Sequence, residues 1–426
     1  MLETKLGYEF QDKQLLEVVT IRTAAVQEGL ASLPQHELTF SRLKFLGSRV
    51  LSLLISDLLF STDLFESEGV LTEVHSRILS HDGLIIKAAK RIGLAESLII
   101  GRGERIYSVH TNNKVLFAHM QALFGALWTD CQSDYARILE VLLKIFQISN
   151  IMRSNNRLIE IPEGFAPLSR FDDLQARFGH VFANRELLLN ACIRQSALNE
   201  SLVSAKSSFQ TLEFLGDKVL GCIVAGWLIA NCKEVGSDVL TPVFNELVGN
   251  LQILPDVAID IRLGDALIVG AGEEKVQVRL NRRRLADHME ALIAALWLDV
   301  FPDYEKTART VIELFNAKIK SFLSKKYCTK EQILFDHTEF PSLPAPASSV
   351  DKEEAVDSGG NLSETYASIV SKSSPPRKRQ VLWSTWSGTS NTSSGAPRTQ
   401  QSSTKFKAPY LDDPEEFPPL GAIRRR

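Results

Sequence analysis

Apolar residues recur at i, i+3, i+4 and i+7 through Leu51–Phe60, Leu84–Ile92, Met120–Trp128 and Ala136–Phe146. The same period runs through Leu187–Ala191, Val219–Ile229, Met289–Trp297 and Thr310–Leu323. It is the turn of a helix that buries one face. Strict alternation, the mark of a half-buried strand, is scarce. Val276–Leu280 is the one stretch that reads as extended, a short excursion at a loop edge. The pattern predicts an all-α chain. Asn150–Leu168 is polar and carries Pro162, Gly164 and Pro167, so it reads as a linker. After about residue 328 the periodicity stops and Ser, Thr, Pro and Gly dominate, which predicts a disordered tail.

The helical pattern occurs twice. Leu6-Gly7-Tyr8-Glu9-Phe10 echoes Phe178-Gly179-His180-Val181-Phe182 at an offset of 172. Leu43-Lys44-Phe45-Leu46-Gly47-Ser48-Arg49-Val50-Leu51 echoes Leu212-Glu213-Phe214-Leu215-Gly216-Asp217-Lys218-Val219-Leu220 at an offset of 169. That second offset also aligns Ala118–Leu123 with Asp287–Leu292, and Ala126–Asp130 with Ala295–Asp299. The first copy thus has three extra residues between Arg22 and Leu43. A repeat unit of about 145 residues is too long for a solenoid and fits two whole domains in tandem. The expected organisation is a first domain over 1–149, a linker over 150–170, a second domain over 171–328 and a tail over 329–426.

Composition narrows the function little. A net charge of −3 over 426 residues excludes binding of nucleic acid through bulk positive charge but leaves room for a local basic groove. The five cysteines have no ligand-like spacing and lie mostly in apolar runs, as in a reduced, intracellular protein. No apolar run is long enough to span a bilayer, so no membrane partner is expected.

The chemistry-bearing stretch is Thr211–Leu220. Glu213 and Asp217 stand four residues apart in an apolar run, on one face of the expected helix. Two acids there repel each other and cost desolvation energy. A second pair, Asp287 and Glu290, is spaced i, i+3 within Leu285–Ile293. Four carboxylates on two helix faces make a set of hard oxygen ligands suited to Mg²⁺, or Mn²⁺ in its place. The bland alternative is two solvated acidic faces, which the apolar flanks argue against.

LEFLGDKVL followed by LADHMEALIAALWLD resembles the signature of the ribonuclease III endonuclease domain, LEFLGD plus ADxxEA. Supporting landmarks are FGHVFANRELLLNACIR, Leu240-Thr241 with Gly249-Asn250-Leu251, and the Gly270–Glu273 turn. The resemblance covers roughly 2–147 and 172–323, and the tandem arrangement resembles the nuclease core of the Dicer and Drosha proteins. It implies two helical domains paired as an intramolecular pseudo-dimer, hydrolysis of double-stranded RNA to 5′-phosphate and 3′-hydroxyl ends, and Glu213, Asp217, Asp287 and Glu290 as catalytic metal ligands. The service would be RNA processing or RNA silencing. Phe209-Gln210 and Arg194-Gln195-Ser196 depart from the family's usual residues at those places.

The first copy departs further. Lys44, Ser48, Ala118 and Gln121 occupy the four ligand positions, so it reads as a degenerate, pseudo-nuclease partner. One live centre implies one cut strand per pair. Arg279, Arg282, Arg283 and Arg284 lie just before Asp287 and read as phosphate contacts, recognising the A-form backbone rather than bases. His119 and His288, at the same repeat position, read as packing residues, and Trp128 and Trp297 as core. In the tail, segments 339–343 and 416–420 (EFPSL and EFPPL) read as short anchors for a protein partner. Arg377-Lys378-Arg379 would suit nuclear import, placing the chain in nucleus or cytoplasm. The competing reading is a double-stranded-RNA-binding scaffold, a ribonucleoprotein subunit with little or no cleavage.

Overall fold

The computed structural model describes residues 2–62, 67–148, 168–200, 209–232, 234–249, 252–329 and 332–333. The tail segments 339–343, 377–379 and 416–420 lie outside them, as does most of the stretch read as linker. The fold is all-α. Beyond single bridges at Ile21–Ile99 and Ile193–Ile268, extended pairing among the described residues is one short antiparallel pair, Cys328–Thr329 with Gln332–Ile333. One helix, Leu168–Phe178, begins inside the expected linker.

Each repeat is built on the same frame. In the first, α1 (His36–Ser61), α2 (Glu68–Ile78), α3 (Asn113–Asp130) and α4 (Tyr135–Phe146) are the principal helices. Their counterparts in the second are α5 (Gln210–Asn231), α6 (Ser237–Leu247), α7 (Arg282–Val300) and α8 (Tyr304–Tyr327). Local signals repeat with the frame. Asn112 caps α3 by accepting from the Lys114 amide at 2.8 Å, and Asn281 caps α7 by accepting from the Arg284 amide at 3.2 Å. Asp130 accepts from Tyr8 Oη and the Gln11 and Asp12 amides; Asp299 does the same for His180 Nε2 and the Ala183 and Asn184 amides. These bonds tie the front of each repeat to the end of its α3 or α7.

The long helices cross at glycines. A Cβ at Gly47 of α1 would overlap the Gln121 carbonyl oxygen of α3, and a Cβ at Gly216 of α5 would overlap the Glu290 carbonyl oxygen of α7. Backbone approach this close requires glycine, and it brings the residues flanking each glycine onto the facing helix. α1 and α5 also pack on each other, so the two repeats share one core and pair as an intramolecular pseudo-dimer. The pairing is reciprocal. Trp128 meets Tyr304 edge-on at 4.7 Å between ring centroids, and its counterpart Trp297 meets Tyr135 edge-on at 4.6 Å. Arg42 of α1 reaches across to the end of α5, donating to the carbonyls of Ile229 (2.7 Å), Cys232 and Val235 (2.9 Å).

The helical expectations from periodicity fall inside helices, except that Ile92 caps the helix Leu84–Arg91 rather than continuing it. Val276–Leu280 is a correction: it is not extended. Gln277 takes φ +52°, which breaks a strand, and Val278–Leu280 turns as a 3-10 helix that buries Val278. Cys131, Cys192, Cys222 and Cys232 are free and buried, and burial pushes their thiols up to about 11 or 12. No helix among the described residues is long and apolar enough to cross a membrane.

Candidate metal centre

The Gly216 crossing gathers the four acids of the second repeat. Glu213 and Asp217 flank Gly216 on α5 and are half-buried; Asp287 and Glu290 on α7 are buried. Their carboxyls feel one another. Burial pushes Glu290 up to about 9, with Asp217, Glu213 and Asp287 adding to it and Lys218 opposing. Burial likewise pushes Glu213 up to about 7, helped by Asp287, Glu68 and Asp217 and opposed by Arg284.

Two cations stand in the cluster. Lys218 Nζ donates to Asp217 Oδ2 at 2.5 Å, and Arg284 Nη1 donates to Asp287 Oδ2 at 3.3 Å. Among the described residues no three His, Cys, Asp or Glu side chains are closed up as a ready-made metal cage. The donor set nonetheless suits a hard divalent cation: four carboxylates, no nitrogen or sulfur among them, held where their shared negative charge is disfavoured.

The first repeat borders this cluster through α2. His75 meets Phe214 edge-on at 6.0 Å and bonds Ser52 Oγ through Nε2 at 3.1 Å. Burial and then Lys218 hold its imidazole down at about 4. Glu68, at the start of α2, is close enough for its charge to raise Glu213. Periodicity could not have found His75 or Glu68, because their place depends on how the repeats pair. Lys218 was adjacent to Asp217 in sequence and was readable as its partner.

The arginines expected to meet phosphate divide. Arg279 is engaged inside the domain: it donates to Glu274 at 2.9 Å and to the carbonyls of Gly264 (3.0 Å) and Leu267. Those bonds anchor the turn around Gly264. Arg282 pairs with Asp256 at 2.7 Å, and Arg284 with Asp287. Arg283 is exposed. Arg194, one of the departures from the family pattern, is buried, binds both oxygens of Glu273 at 2.6 Å and donates to His288 Nε2 at 3.3 Å. Arg22 binds Glu104 in the same way in the first repeat. His288 and His119 are buried and bond the carbonyls of Ala191 (2.7 Å) and Val19 (2.6 Å), in keeping with packing roles.

The matching face of the first repeat keeps the frame without the acids. Lys44 and Ser48 flank Gly47 on α1, and Ala118 and Gln121 lie on α3. Ser48 Oγ turns back to the Phe45 carbonyl at 2.7 Å.

An all-helical tandem repeat, paired about crossing glycines and carrying four acids on one crossing, defines the class. A family model described as Ribonuclease-III-like matches residues 32–145 and 184–318. The chain belongs to the ribonuclease III family of endoribonucleases. It is 33% identical over 186 residues to Ribonuclease 3 of Cereibacter sphaeroides, covering 44% of this chain and 76% of that one. It is 29% identical over 199 residues to Ribonuclease 3 of Syntrophobacter fumaroxidans, covering 45% and 80%. Among solved structures, Dicer from Giardia intestinalis aligns with a TM-score of 0.41 at 12% identity, over 66% of this chain and 55% of that one.

Proposed function

We propose that this chain is a Mg²⁺-dependent endoribonuclease of double-stranded RNA with a single working centre, in its second repeat. The observation that carries the reading is the cluster of Glu213, Asp217, Asp287 and Glu290, two of whose carboxyls are held well above their ordinary range. A buried group of acids is unfavourable by itself and becomes favourable once a dication is shared among them. Mg²⁺ there would supply an activated water and charge for the departing oxygen on phosphorus. The chain's own part is to hold the ligands in place. Gly216 fixes the spacing of the two helices, Lys218 and Arg284 orient Asp217 and Asp287, and α2 closes one side.

The first repeat, with Lys44, Ser48, Ala118 and Gln121 in the ligand positions, serves as a non-cutting partner. One pair then hydrolyses one strand, leaving a nick. The linked partner is always at hand, since tethering gives it a high effective concentration.

The test is cleavage of duplex RNA carrying a different end label on each strand, in Mg²⁺, by the wild-type chain and by Glu290→Gln and Asp217→Asn. Wild type should cut one strand of each duplex and both variants should lose at least a hundredfold. Equal inertness of all three would overturn the enzymatic reading in favour of the RNA-binding scaffold. Cleavage of both strands by a monomeric chain would overturn the single centre.

A further inference from the structure

The first repeat's counterpart of the acidic centre has undergone more than loss. Lys44, Ser48, Ala118 and Gln121 replace Glu213, Asp217, Asp287 and Glu290, and Ser237 of α6 stands where Glu68 of α2 stands on the other side, each at the offset of 169. Every carboxylate of the second-repeat cluster is therefore gone from the first. The cation beside it is not: Arg49 occupies the position of Lys218.

The two cations are in different situations. Lys218 has Asp217 at 2.5 Å. Arg49 has Ser48 in that place, and the Ser48 hydroxyl is turned to its own helix. The Arg49 guanidinium lies 4.1 Å from the ring centre of Phe244, and its Nε is buried without a hydrogen-bond partner. Burial works against its charge, and the acid that supports it is Asp217, across the seam. Lys44 is half-buried on the face that carries Glu213 in the other repeat and takes part in no ion pair among the described residues. Gln121, also half-buried, adds a neutral amide from α3.

A buried donor left unpaired is uncommon and unfavourable, and a cationic one is best completed by an anion. Abolishing a metal site requires removal of only one or two ligands. An anion site gains from the loss of every acid at its own crossing, because each one that remained there would repel the anion.

We propose that the first-repeat centre is a phosphate site, in which Lys44 and Arg49 hold a backbone phosphate of the strand that the second-repeat centre does not cut. This rests on the duplex-RNA reading above. The pairing contacts are reciprocal, Trp128 with Tyr304 and Trp297 with Tyr135, so on the duplex-RNA reading the two centres would face corresponding places on the two strands. The former metal position is then the place where a backbone phosphate arrives. Lys44 meets it as a point charge; Arg49 offers the planar fork that matches phosphate oxygens. The first repeat becomes a clamp that fixes which strand is presented for cleavage.

The test uses the full chain carrying Glu290→Gln to prevent turnover, in Mg²⁺, with a fluorescent duplex RNA titrated at several salt concentrations. Adding Lys44→Glu should weaken duplex binding at least tenfold. Lys44→Gln and Arg49→Gln should each make the dependence of log K on log salt shallower by about one, the loss of one phosphate contact. Lys44→Arg, which keeps the charge, should restore the wild-type slope. In the chain with Glu290 intact, Mn²⁺ binding at the second centre, followed by electron paramagnetic resonance, should be unchanged by Lys44→Glu, which shows the fold intact. If Lys44→Glu and Arg49→Gln bind duplex with unaltered affinity and slope, the phosphate site is overturned while the nuclease reading stands. If the chain without these substitutions binds no duplex RNA, both are overturned.

Discussion

Trp297 of the second repeat donates its indole N–H to Asp57 of the first, Nε1 to Oδ1 at 3.1 Å, and both side chains are buried. Asp57 Oδ2 accepts from Tyr135 Oη at 2.7 Å, so one carboxylate joins α1, α4 and α7. The counterpart of Asp57 in the second repeat is Gly226, and the bond therefore runs one way across the pair. Removing the acceptor in Asp57→Ala leaves two buried donors without it. The expected loss is roughly 2–6 kcal/mol, the sum of two desolvated donors. Urea unfolding should show it as a lower midpoint of one shared transition, because the repeats share a core. Asp57→Asn keeps an acceptor oxygen and should lose about 1 kcal/mol. Two separate transitions in Asp57→Ala, with the first unmoved, would contradict the role of this residue at the seam.

The acids of the second repeat make a pH prediction with a definite sign. Glu213 and Glu290 titrate in the fold at about 7 and about 9, above the ordinary value of 4.5 that they regain on unfolding. The folded state therefore holds more protons than the unfolded state between those values. The contribution of these two groups to stability without metal is fully present below about pH 4.5 and is lost as pH rises through 7 toward 9. A divalent cation needs the deprotonated forms, so its binding should release protons and tighten over the same window. Calorimetric titration of Mg²⁺ in buffers of different ionisation enthalpy should show proton release at pH 7. The urea midpoint in EDTA should fall from pH 6 to pH 9, and Mg²⁺ should reverse the fall. A midpoint in EDTA that rises across that range would contradict the assignment.

Much of this was legible beforehand. The helices followed from 3.6-residue periodicity, and the duplication followed from matched strings at two fixed offsets. Both depend only on local order. The acid set was legible because Glu213 with Asp217 and Asp287 with Glu290 break an apolar pattern at helical spacing. What escaped depends on tertiary placement. Arg279 reads as a phosphate contact because it lies just before Asp287, and its bonds to the carbonyls of Gly264 and Leu267 depend on how that turn folds back. His75 sits against Phe214 only because α2 of one repeat packs on α5 of the other. Val276–Leu280 read as extended since β-branched residues alternate there, and a positive φ at Gln277 overrides that propensity.

The two crossing glycines separate frame from chemistry. A Cβ at Gly216 would collide with the Glu290 carbonyl, and one at Gly47 with the Gln121 carbonyl. Backbone cannot yield as a flexible side chain can, so Gly216→Ala and Gly47→Ala should each lose about 1–3 kcal/mol by overpacking. Only Gly216→Ala moves the acids. Thermal unfolding should fall by similar amounts in the two variants, while Mn²⁺ affinity, read by electron paramagnetic resonance, should fall in Gly216→Ala alone. Equal loss of Mn²⁺ affinity in both would place metal binding on the first repeat as well.

Because the frame survives in the first repeat, a metal centre should be restorable there by side chains alone. Lys44→Glu with Ser48→Asp returns the α1 pair, and the new aspartate beside Arg49 would take it as partner in the way that Asp217 takes Lys218. That double variant still lacks both α3 ligands, since Ala118 and Gln121 offer no carboxylate. It should bind no more Mn²⁺ than the parent. Adding Ala118→Asp and Gln121→Glu completes four acids around the Gly47 crossing, the same close approach as at Gly216. Val115 stands where Arg284 stands, so the aspartate introduced by Ala118→Asp would lack the cation that Asp287 has, and the new site should bind more weakly than the original. The expected outcome for the fourfold variant is a second, weaker Mn²⁺ site and cuts in both strands of a doubly labelled duplex at Mg²⁺ concentrations that saturate it. A folded fourfold variant with no additional Mn²⁺ would show that the acids need more than this frame, with the carboxylate that Glu68 of α2 brings to the second centre, replaced at the first by Ser237, the next ligand to supply.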